Sequence, residues 1–217
     1  MNELRVAMRE RWDTKGDRYD HACAHGIKDP GEKARWVGFL RRLGNGPLDV
    51  LDVGTGTGFV ALILAEMGHR VTGIDWSTTM LAQAEAKARE DGLRITLRQG
   101  DAESLPFPEG SFDAVVARHL LWTLVEPRQA LAEWYRVLKP HGRVIADFSR
   151  RRGKAAGHHY PVEVEEKLPL NRDVDPGEVA GLFEEVGFTD LRVESSPILH
   201  DGEATTYLLS GQKPSEV

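Results

Sequence analysis

Residues 51–58, Leu51-Asp52-Val53-Gly54-Thr55-Gly56-Thr57-Gly58, join the end of an apolar run to three glycines that alternate with threonines. An apolar run bounded by glycines is typical of a buried parallel strand, and here it predicts a strand over residues 48–53. Glycine lets the backbone turn tightly and lets a ligand approach the main chain without meeting a side chain. The N–H groups of a helix that follows such a turn point toward the ligand. The stretch therefore predicts a ligand-binding turn between a strand and a helix.

The residues after this turn predict the first half of a nucleoside-binding unit. Apolar residues recur at three- and four-residue spacing up to Gly68, which indicates a helix that ends there. A second strand over residues 70–74 then ends at Asp75. A carboxylate in this position can accept hydrogen bonds from ribose hydroxyls.

Strands and helices continue to alternate along the chain, and this pattern predicts a parallel sheet covered on both faces. Near the end, two strands joined by a short loop favour an antiparallel pair at the sheet edge. We therefore predict an α/β fold: a Rossmann-like, doubly wound, seven-stranded sheet that is mostly parallel with an antiparallel last strand, and helices on both faces. The further elements are a helix capped by Ser77 and running to Gly92, strands over 95–98, 112–117 and 143–148, helices over 32–43, 126–138 and 176–186, and final strands over 191–195 and 205–210.

Composition narrows the function classes. The formal charge of -6 over 217 residues does not suit a protein that coats nucleic acid. The N-terminus is charged, and no apolar run approaches the length that spans a bilayer, so we expect a cytoplasmic protein that acts away from membranes. A single cysteine, Cys23, cannot form an internal disulfide, which agrees with a reducing compartment.

The glycine spacing alone fits two cofactors. Residues 56–61 satisfy the dinucleotide pattern with alanine at its last position, and Asp75 lies nearly 20 residues further on, so an NAD(P)-dependent oxidoreductase is an alternative. Three features argue against it: Asp52 before the turn, the segment Gly100-Asp101-Ala102-Glu103, and the final strand pair.

These features together resemble the class I S-adenosylmethionine-dependent methyltransferases, in particular their small-molecule branch. The resemblance covers residues 45–148, and the final strand pair agrees with it. The family's usual Pro-Gly-Gly turn is replaced here by Pro140-His141-Gly142. The motifs that carry the resemblance are residues 52–58, Ile74-Asp75-Trp76-Ser77 with Met80-Leu81, residues 100–107, Phe112-Asp113, and residues 137–143.

The resemblance implies S-adenosylmethionine as the cofactor. It implies that Asp75 takes the ribose hydroxyls, that Asp101 accepts a hydrogen bond from the adenine amino group, and that Tyr19 closes over the sulfonium. The implied cofactor-binding residues are Tyr19, Asp52, Gly54, Thr55, Gly56, Gly58, Asp75, Trp76, Met80, Asp101, Ala102, Glu103 and Arg118.

The resemblance also implies one methyltransferase domain over residues 1–217. Its expected parts are an N-terminal helical lid over residues 1–44, a cofactor-binding core over 45–148, a substrate-cover insertion over 149–175, and a C-terminal helix and strand pair over 176–217.

The acceptor side of the site must be formed by loops at the carboxyl ends of the strands. Methyl transfer is an in-line displacement, so the enzyme must align the acceptor, exclude water and remove a proton where the acceptor carries one. Histidine can act as the base or orient the acceptor. The candidate catalytic residues are His119 after the fourth strand, His25 in the N-terminal cover and His159 after the fifth strand. Trp122, Phe107 and Tyr160 are candidates for an apolar wall.

The leading hypothesis is therefore a methyltransferase that acts on an oxygen, nitrogen or sulfur atom of a small molecule. The alternatives are the oxidoreductase and a non-catalytic cofactor-sensing or metal-binding module on the same fold. We expect no metal, because the alternating His21, Cys23 and His25 match no well-known zinc site. The sequence does not indicate an oligomeric state.

Overall fold

The computed structural model describes residues 3–19, 30–151, 160–200 and 204–215. Seven strands lie in these ranges: β1 Asp49–Val53, β2 Arg70–Asp75, β3 Thr96–Gln99, β4 Phe112–Ala117, β5 Leu138–Arg151, β6 Thr189–His200 and β7 Ala204–Gln212. The helices there are α1 Glu3–Tyr19, α2 Pro30–Leu40, α3 Phe59–Glu66, α4 Thr78–Glu90, α5 Pro127–Val137, α6 Val162–Glu165 and α7 Pro176–Val186, with 3-10 turns at Arg41–Leu43 and Leu121–Thr123. None of these helices has the length and apolar character needed to cross a membrane.

The strands form one sheet in the order β3-β2-β1-β4-β5-β7-β6. β1, β2 and β3 pair in parallel, as do β4 and β5, whereas β7 is antiparallel to both β5 and β6. The predicted Rossmann-like sheet, mostly parallel with an antiparallel last strand, is therefore confirmed. The chain divides into two compact units, Met1–Asp101 and Ala102–Val217.

The core of the first unit surrounds β1 and α3. Four of the five residues of β1 are buried, and α3 buries every residue from Phe59 to Leu64. Such a helix cannot show a polar face, because both of its sides lie inside the protein. On α2, Trp36 is buried and packs edge-on against Phe59, with ring centroids 6.2 Å apart.

The N-terminal helix α1 contributes more than a surface cover. It packs against α4, and its Leu4 and Met8 side chains are buried. Burial of a side chain of this size stabilises the fold by about 1.5–3 kcal/mol. The sequence predicted this helix as a cover outside the core, because most of its other positions are charged.

The second unit is built on a long antiparallel ladder. β5 pairs with β7 from Arg143 to Arg151, well beyond the predicted strand over residues 143–148. β6 and β7 are also longer than their predicted ranges. The sequence pattern missed these extensions because the ladder continues through polar residues, where backbone hydrogen bonds hold the strands without an apolar face. The segment over 149–175, predicted as irregular, thus begins as strand, and its later part contains α6 and the buried side chains of Tyr160, Leu168, Leu170 and Val174.

The helix ends follow ordinary capping rules. Ser77 caps α4 as predicted, since its Oγ accepts a hydrogen bond from the Met80 N–H at 3.2 Å. Asp175 caps α7 in the same way through the Gly177 N–H at 2.8 Å. Gly187 ends α7 in the left-handed conformation with φ 112°, which glycine adopts readily.

The turn at residues 139–142 lies at the start of β5 and is held by Lys213. The His141 N–H donates to the Lys213 carbonyl at 2.9 Å, and the Lys213 N–H donates to the Gly142 carbonyl at 2.8 Å. The ammonium of Lys213, whose residue is 3% exposed, donates to the Leu138 carbonyl and lies 4.7 Å from the centroid of the Tyr135 ring. A cation over an aromatic face retains attraction when water is excluded, so this buried charge is stabilised.

His141 occupies the left-handed region with φ 63°. We expect His141→Gly to raise the free energy of unfolding by about 0.5–1 kcal/mol. Glycine adopts the left-handed conformation without strain, and the strain energy removed is larger than the cost of the greater chain entropy that glycine has in the unfolded state. Chemical denaturation measures the change. Gly142→Ala is the contrasting variant: its Cβ would lie 2.8 Å from the Lys139 carbonyl, so it should destabilise the protein. Equal effects of the two substitutions would contradict this account.

Candidate active site

The glycine turn forms where β1 ends and α3 begins. Gly54, Gly56 and Gly58 have φ values of 66°, 53° and 87°, a region that other residues rarely adopt. The turn is closed by a hydrogen bond from the Gly58 N–H to the Thr55 carbonyl at 2.9 Å. A Cβ on Gly58 would also lie 3.0 Å from the Cβ of Ala84 on α4. The turn therefore depends on glycine for both its backbone conformation and its packing.

Asp52 and Thr55 stabilise the turn from inside the first unit. Asp52 is 1% exposed, and its Oδ2 accepts a hydrogen bond from Thr55 Oγ1 at 2.7 Å. The Thr55 side chain packs against the main chain of Gly73 on β2, where a Cβ would lie 2.8 Å from Thr55 Oγ1. Because Gly73 has no side chain, Thr55 can pack against β2. Its hydroxyl group then donates a hydrogen bond to the buried Asp52 carboxylate, which lowers the cost of burying that group.

Asp75 joins the end of β2 to the glycine turn. Its Oδ2 accepts the Gly56 N–H at 2.8 Å, and its Oδ1 accepts the Ser77 N–H at 2.9 Å. Burial raises the pKa of Asp75, the N–H donors of Ser77 and Gly56 oppose that rise, and the carboxylate of Asp13 on α1 adds to it. The structure thus brings the predicted ribose acceptor and the predicted turn together.

Three further predicted cofactor-binding residues, Trp76, Met80 and Asp101, also lie in the first unit. Trp76 is half-buried, and its carbonyl accepts a hydrogen bond from Gln99 Nε2 at 3.0 Å. Met80 is 2% exposed and lies in the core at the start of α4. Asp101 pairs with Arg5 of α1, with 3.3 Å between Asp101 Oδ2 and Arg5 Nη1. The contacts of Arg5 with Asp101 and of Gln99 with Trp76 were not predicted. A cation in a charged helix and an amide on an exposed strand have no distinctive sequence pattern.

In the second unit, Ala102 and Glu103 are anchored at α5 and the residues that precede it. The Ala102 carbonyl accepts a hydrogen bond from Trp134 Nε1 at 3.1 Å. Glu103 is buried, and its Oε1 accepts the N–H groups of Val125 and Glu126 at 2.7 and 3.1 Å. The Glu103 carboxylate therefore holds the main chain just before α5. Its role in binding a cofactor stays a prediction.

The turn after β4 carries Arg118 and His119. Arg118 is buried, and His119 adopts a left-handed conformation with φ 56°. The His119 N–H donates to Asp147 Oδ1 at 2.5 Å, and its Nε2 lies 3.4 Å from Asp147 Oδ2. Asp147 lies on β5, just past the last residue of β5 that pairs with β4. It was not predicted, although an acid within the apolar run over residues 144–148 is a signal that could have found it.

Of the predicted apolar wall, Trp122 and Tyr160 form a tilted pair with ring centroids 5.9 Å apart. Phe107 instead packs edge-on against Phe112 at 5.1 Å. Among the described residues, no group of three or more His, Cys, Asp or Glu side chains could hold a metal ion. Several residues named in the sequence analysis lie outside the part of the chain that is described. They are His21, Cys23, His25, His159 and the side chain of Tyr19.

Comparison with known proteins gives consistent results. A family model described as a methyltransferase domain matches residues 51–146. The chain is 41% identical over 127 residues to a demethylmenaquinone methyltransferase of Thermus thermophilus, covering 57% of this chain and 58% of that protein. It is 33% identical over 192 residues to a ubiquinone/menaquinone biosynthesis C-methyltransferase of Geotalea daltonii, covering 84% of this chain and 77% of that protein.

A solved structure has a similar fold. Phosphoethanolamine N-methyltransferase 2 of Haemonchus contortus, in complex with S-adenosylmethionine, matches 99% of this chain and 61% of its own with a TM-score of 0.77 at 21% identity. The chain spans 44–58% of the length of three of the curated relatives that it matches.

The contact between Gly73 and Thr55 predicts a measurable defect in the turn. Gly73→Ala should lower the free energy of unfolding by about 1–3 kcal/mol, because the new Cβ would lie 2.8–2.9 Å from two Thr55 side-chain atoms. The control is Gly38→Ala on α2, where a Cβ meets nothing within 4 Å and alanine favours the helix. Chemical denaturation of both variants tests this, and a destabilised Gly38→Ala with an unaffected Gly73→Ala would contradict it.

Proposed function

Because the chain belongs to the class I S-adenosylmethionine-dependent methyltransferase family, we propose that it transfers a methyl group from S-adenosylmethionine to a small-molecule acceptor. The observation that carries the proposal is the hydrogen bond between the Asp75 carboxylate and the Gly56 N–H. It joins a carboxylate, a group that can accept hydrogen bonds from ribose hydroxyls, to a turn in which three of the five residues are glycines without side chains. Family membership also decides between the two cofactors that the glycine spacing alone could serve.

The residues of the first unit fit S-adenosylmethionine. The turn over residues 54–58 contains no basic side chain, which suits a nucleoside without phosphates. The Asp75 carboxylate accepts the main-chain N–H groups of Gly56 and Ser77, and the two oxygens of a carboxylate together offer about four lone-pair sites, so a hydroxyl group can be accepted as well. Half-buried Trp76 supplies an aromatic surface at the same strand end. The roles of Ala102, Glu103, Arg118 and Tyr19 toward the cofactor remain proposals that rest on the family resemblance.

When bound, S-adenosylmethionine supplies a methyl group on a positively charged sulfur, which leaves as neutral S-adenosylhomocysteine. The protein must hold the acceptor in line with that methyl group and exclude water. We place His119 at this task, as a base or as a hydrogen-bonding partner of the acceptor. His25 and His159 keep the same proposed role.

The acceptor class follows from charge and from the relatives. A net charge of -6 favours a small molecule over nucleic acid as the acceptor. The relatives are named for demethylmenaquinone and phosphoethanolamine, so both belong in an acceptor panel beside a metabolite extract. The single cysteine supports action in a reducing compartment such as the cytoplasm.

The cofactor site is tested by Asp75→Asn. Loss of a charged acceptor should weaken S-adenosylmethionine binding about 10–100-fold, as expected for hydrogen bonds to a charged group. Binding to the native protein should also weaken as the pH falls, because protonation removes the carboxylate and the raised pKa of Asp75 brings this to a higher pH than for an ordinary aspartate. Titration calorimetry measures both effects.

The matched control for this experiment is Asp49→Asn. Asp49 begins β1 and pairs with Arg70 at 2.6 Å on the surface, so its loss should leave cofactor affinity unchanged. Native affinity in Asp75→Asn would remove Asp75 from the ribose role. The proposed function would be overturned if the native protein bound NAD(H) and did not bind S-adenosylhomocysteine.

The acceptor role is tested by His119→Asn, with His141→Asn as its control. Both histidines have positive φ, and asparagine tolerates that region, so the two backbones should be kept. His119→Asn should lower kcat about 100–10,000-fold with little change in cofactor affinity, since general-base catalysis contributes that much. Release of S-adenosylhomocysteine with an acceptor from the panel is the measurement. A fully active His119→Asn variant would remove His119 from catalysis.

A further inference from the structure

A carboxylate is buried among apolar residues of β5 in the second unit. On β5, Val144, Ile145, Ala146 and Phe148 are buried, and Asp147 among them is 3% exposed. A charged group costs several kcal/mol to bury unless it is hydrogen-bonded or paired. Its position therefore needs a physical reason, and the reason lies in the turn after β4.

The Asp147 carboxylate contacts His119 at two points. Oδ1 accepts the main-chain N–H of His119 at 2.5 Å, and Oδ2 lies 3.4 Å from its Nε2. A carboxylate that served only as an anchor for the turn would need the first contact alone. The second contact places a carboxylate oxygen beside the ring, whose side chain is 11% exposed.

The backbone of His119 is strained in a way that this carboxylate can support. A residue with a Cβ pays about 1–2 kcal/mol to adopt the left-handed conformation seen at φ 56°. Such strain persists where surrounding bonds hold it, and it occurs most often at functional positions. The Asp147 bond to the main chain holds the strained turn while the ring contact directs the imidazole.

We propose that Asp147 is the positioning residue of His119: its carboxylate lies beside Nε2 and favours the tautomer with its proton on that atom, so that Nδ1 is the nitrogen that takes the acceptor's proton. This inference rests on the proposed function. The acceptor atom bonds to the methyl carbon as the carbon–sulfur bond breaks with its electron pair going to sulfur, and the acceptor's proton passes to Nδ1 and then to water. The acceptor therefore belongs to the class that carries a removable proton on the methylated atom, which excludes tertiary amines and thioethers.

The first test needs no acceptor. In protein labelled with ¹⁵N in its histidine rings, the His119 signals are those lost in His119→Asn. In the native protein at neutral pH they should report a proton on Nε2, and Asp147→Asn should shift them toward a mixture of tautomers. The control is Asp113→Asn, which removes a carboxylate paired with Lys139 at 2.9 Å in the same unit and should leave the His119 signals unchanged.

The second test uses turnover. Asp147→Asn should lower kcat about 10–1,000-fold, because it spoils the ring's tautomer and orientation, while cofactor affinity changes less than about twofold. The double variant His119→Asn/Asp147→Asn should lose no more activity than His119→Asn alone, since Asp147 acts through His119. If the Asp147 carboxylate had only a structural role, the double variant would instead lose more activity than His119→Asn alone, because the two effects would add.

The outcomes separate the two proposals. A native protein that binds no S-adenosylmethionine overturns the proposed function and the role of Nδ1 with it. Normal cofactor binding with an unchanged His119 tautomer in Asp147→Asn overturns the inference about Asp147 alone. A native His119 protonated on Nδ1 overturns it as well, and this last measurement holds even where Asp147→Asn fails to fold.

Discussion

The hydrogen bond from the Gly56 N–H to the Asp75 carboxylate is the constraint on which the predicted cofactor site of the first unit depends. It joins the end of β2 to the turn that follows β1, and therefore sets where the left-handed glycines lie relative to the acid. The remaining features of the turn agree with it. Thr55 satisfies buried Asp52, Gly73 makes room for Thr55, and Ser77 both donates to Asp75 and caps α4.

The same arrangement occurs a second time in the chain. β4 and β5 are parallel like β1 and β2, and Asp147, just past the last residue of β5 that pairs with β4, accepts the N–H of His119 in the turn after β4. In each pair, an aspartate where the parallel pairing ends binds the main chain of the turn that follows the neighbouring strand. The ends of parallel strands concentrate main-chain donors in this way, because the chain must leave the sheet there. The first pair carries the proposed ribose acceptor, and the second carries the proposed base.

Much of the fold was predictable, and the misses have common causes. β1, α3, β2 and α4 follow from apolar spacing and from Ser77, because each buries a continuous apolar face. The strands of the final ladder were predicted too short, since hydrogen bonds between β5 and β7 extend through polar residues such as Ser149 and Thr205. The N-terminal helix was expected outside the core, because Leu4 and Met8 are few among its charges.

The sequence by itself determined the α/β class, the glycine turn and the acid at Asp75, because these depend on local spacing and on the conformations that glycine alone adopts readily. It also determined the family, through the order of its motifs. Tertiary structure decided which groups meet. Asp147 lies 28 residues from His119, and Arg5 lies 96 residues from Asp101. Contacts over such separations are set by strand register and helix packing, which local patterns of residues do not encode.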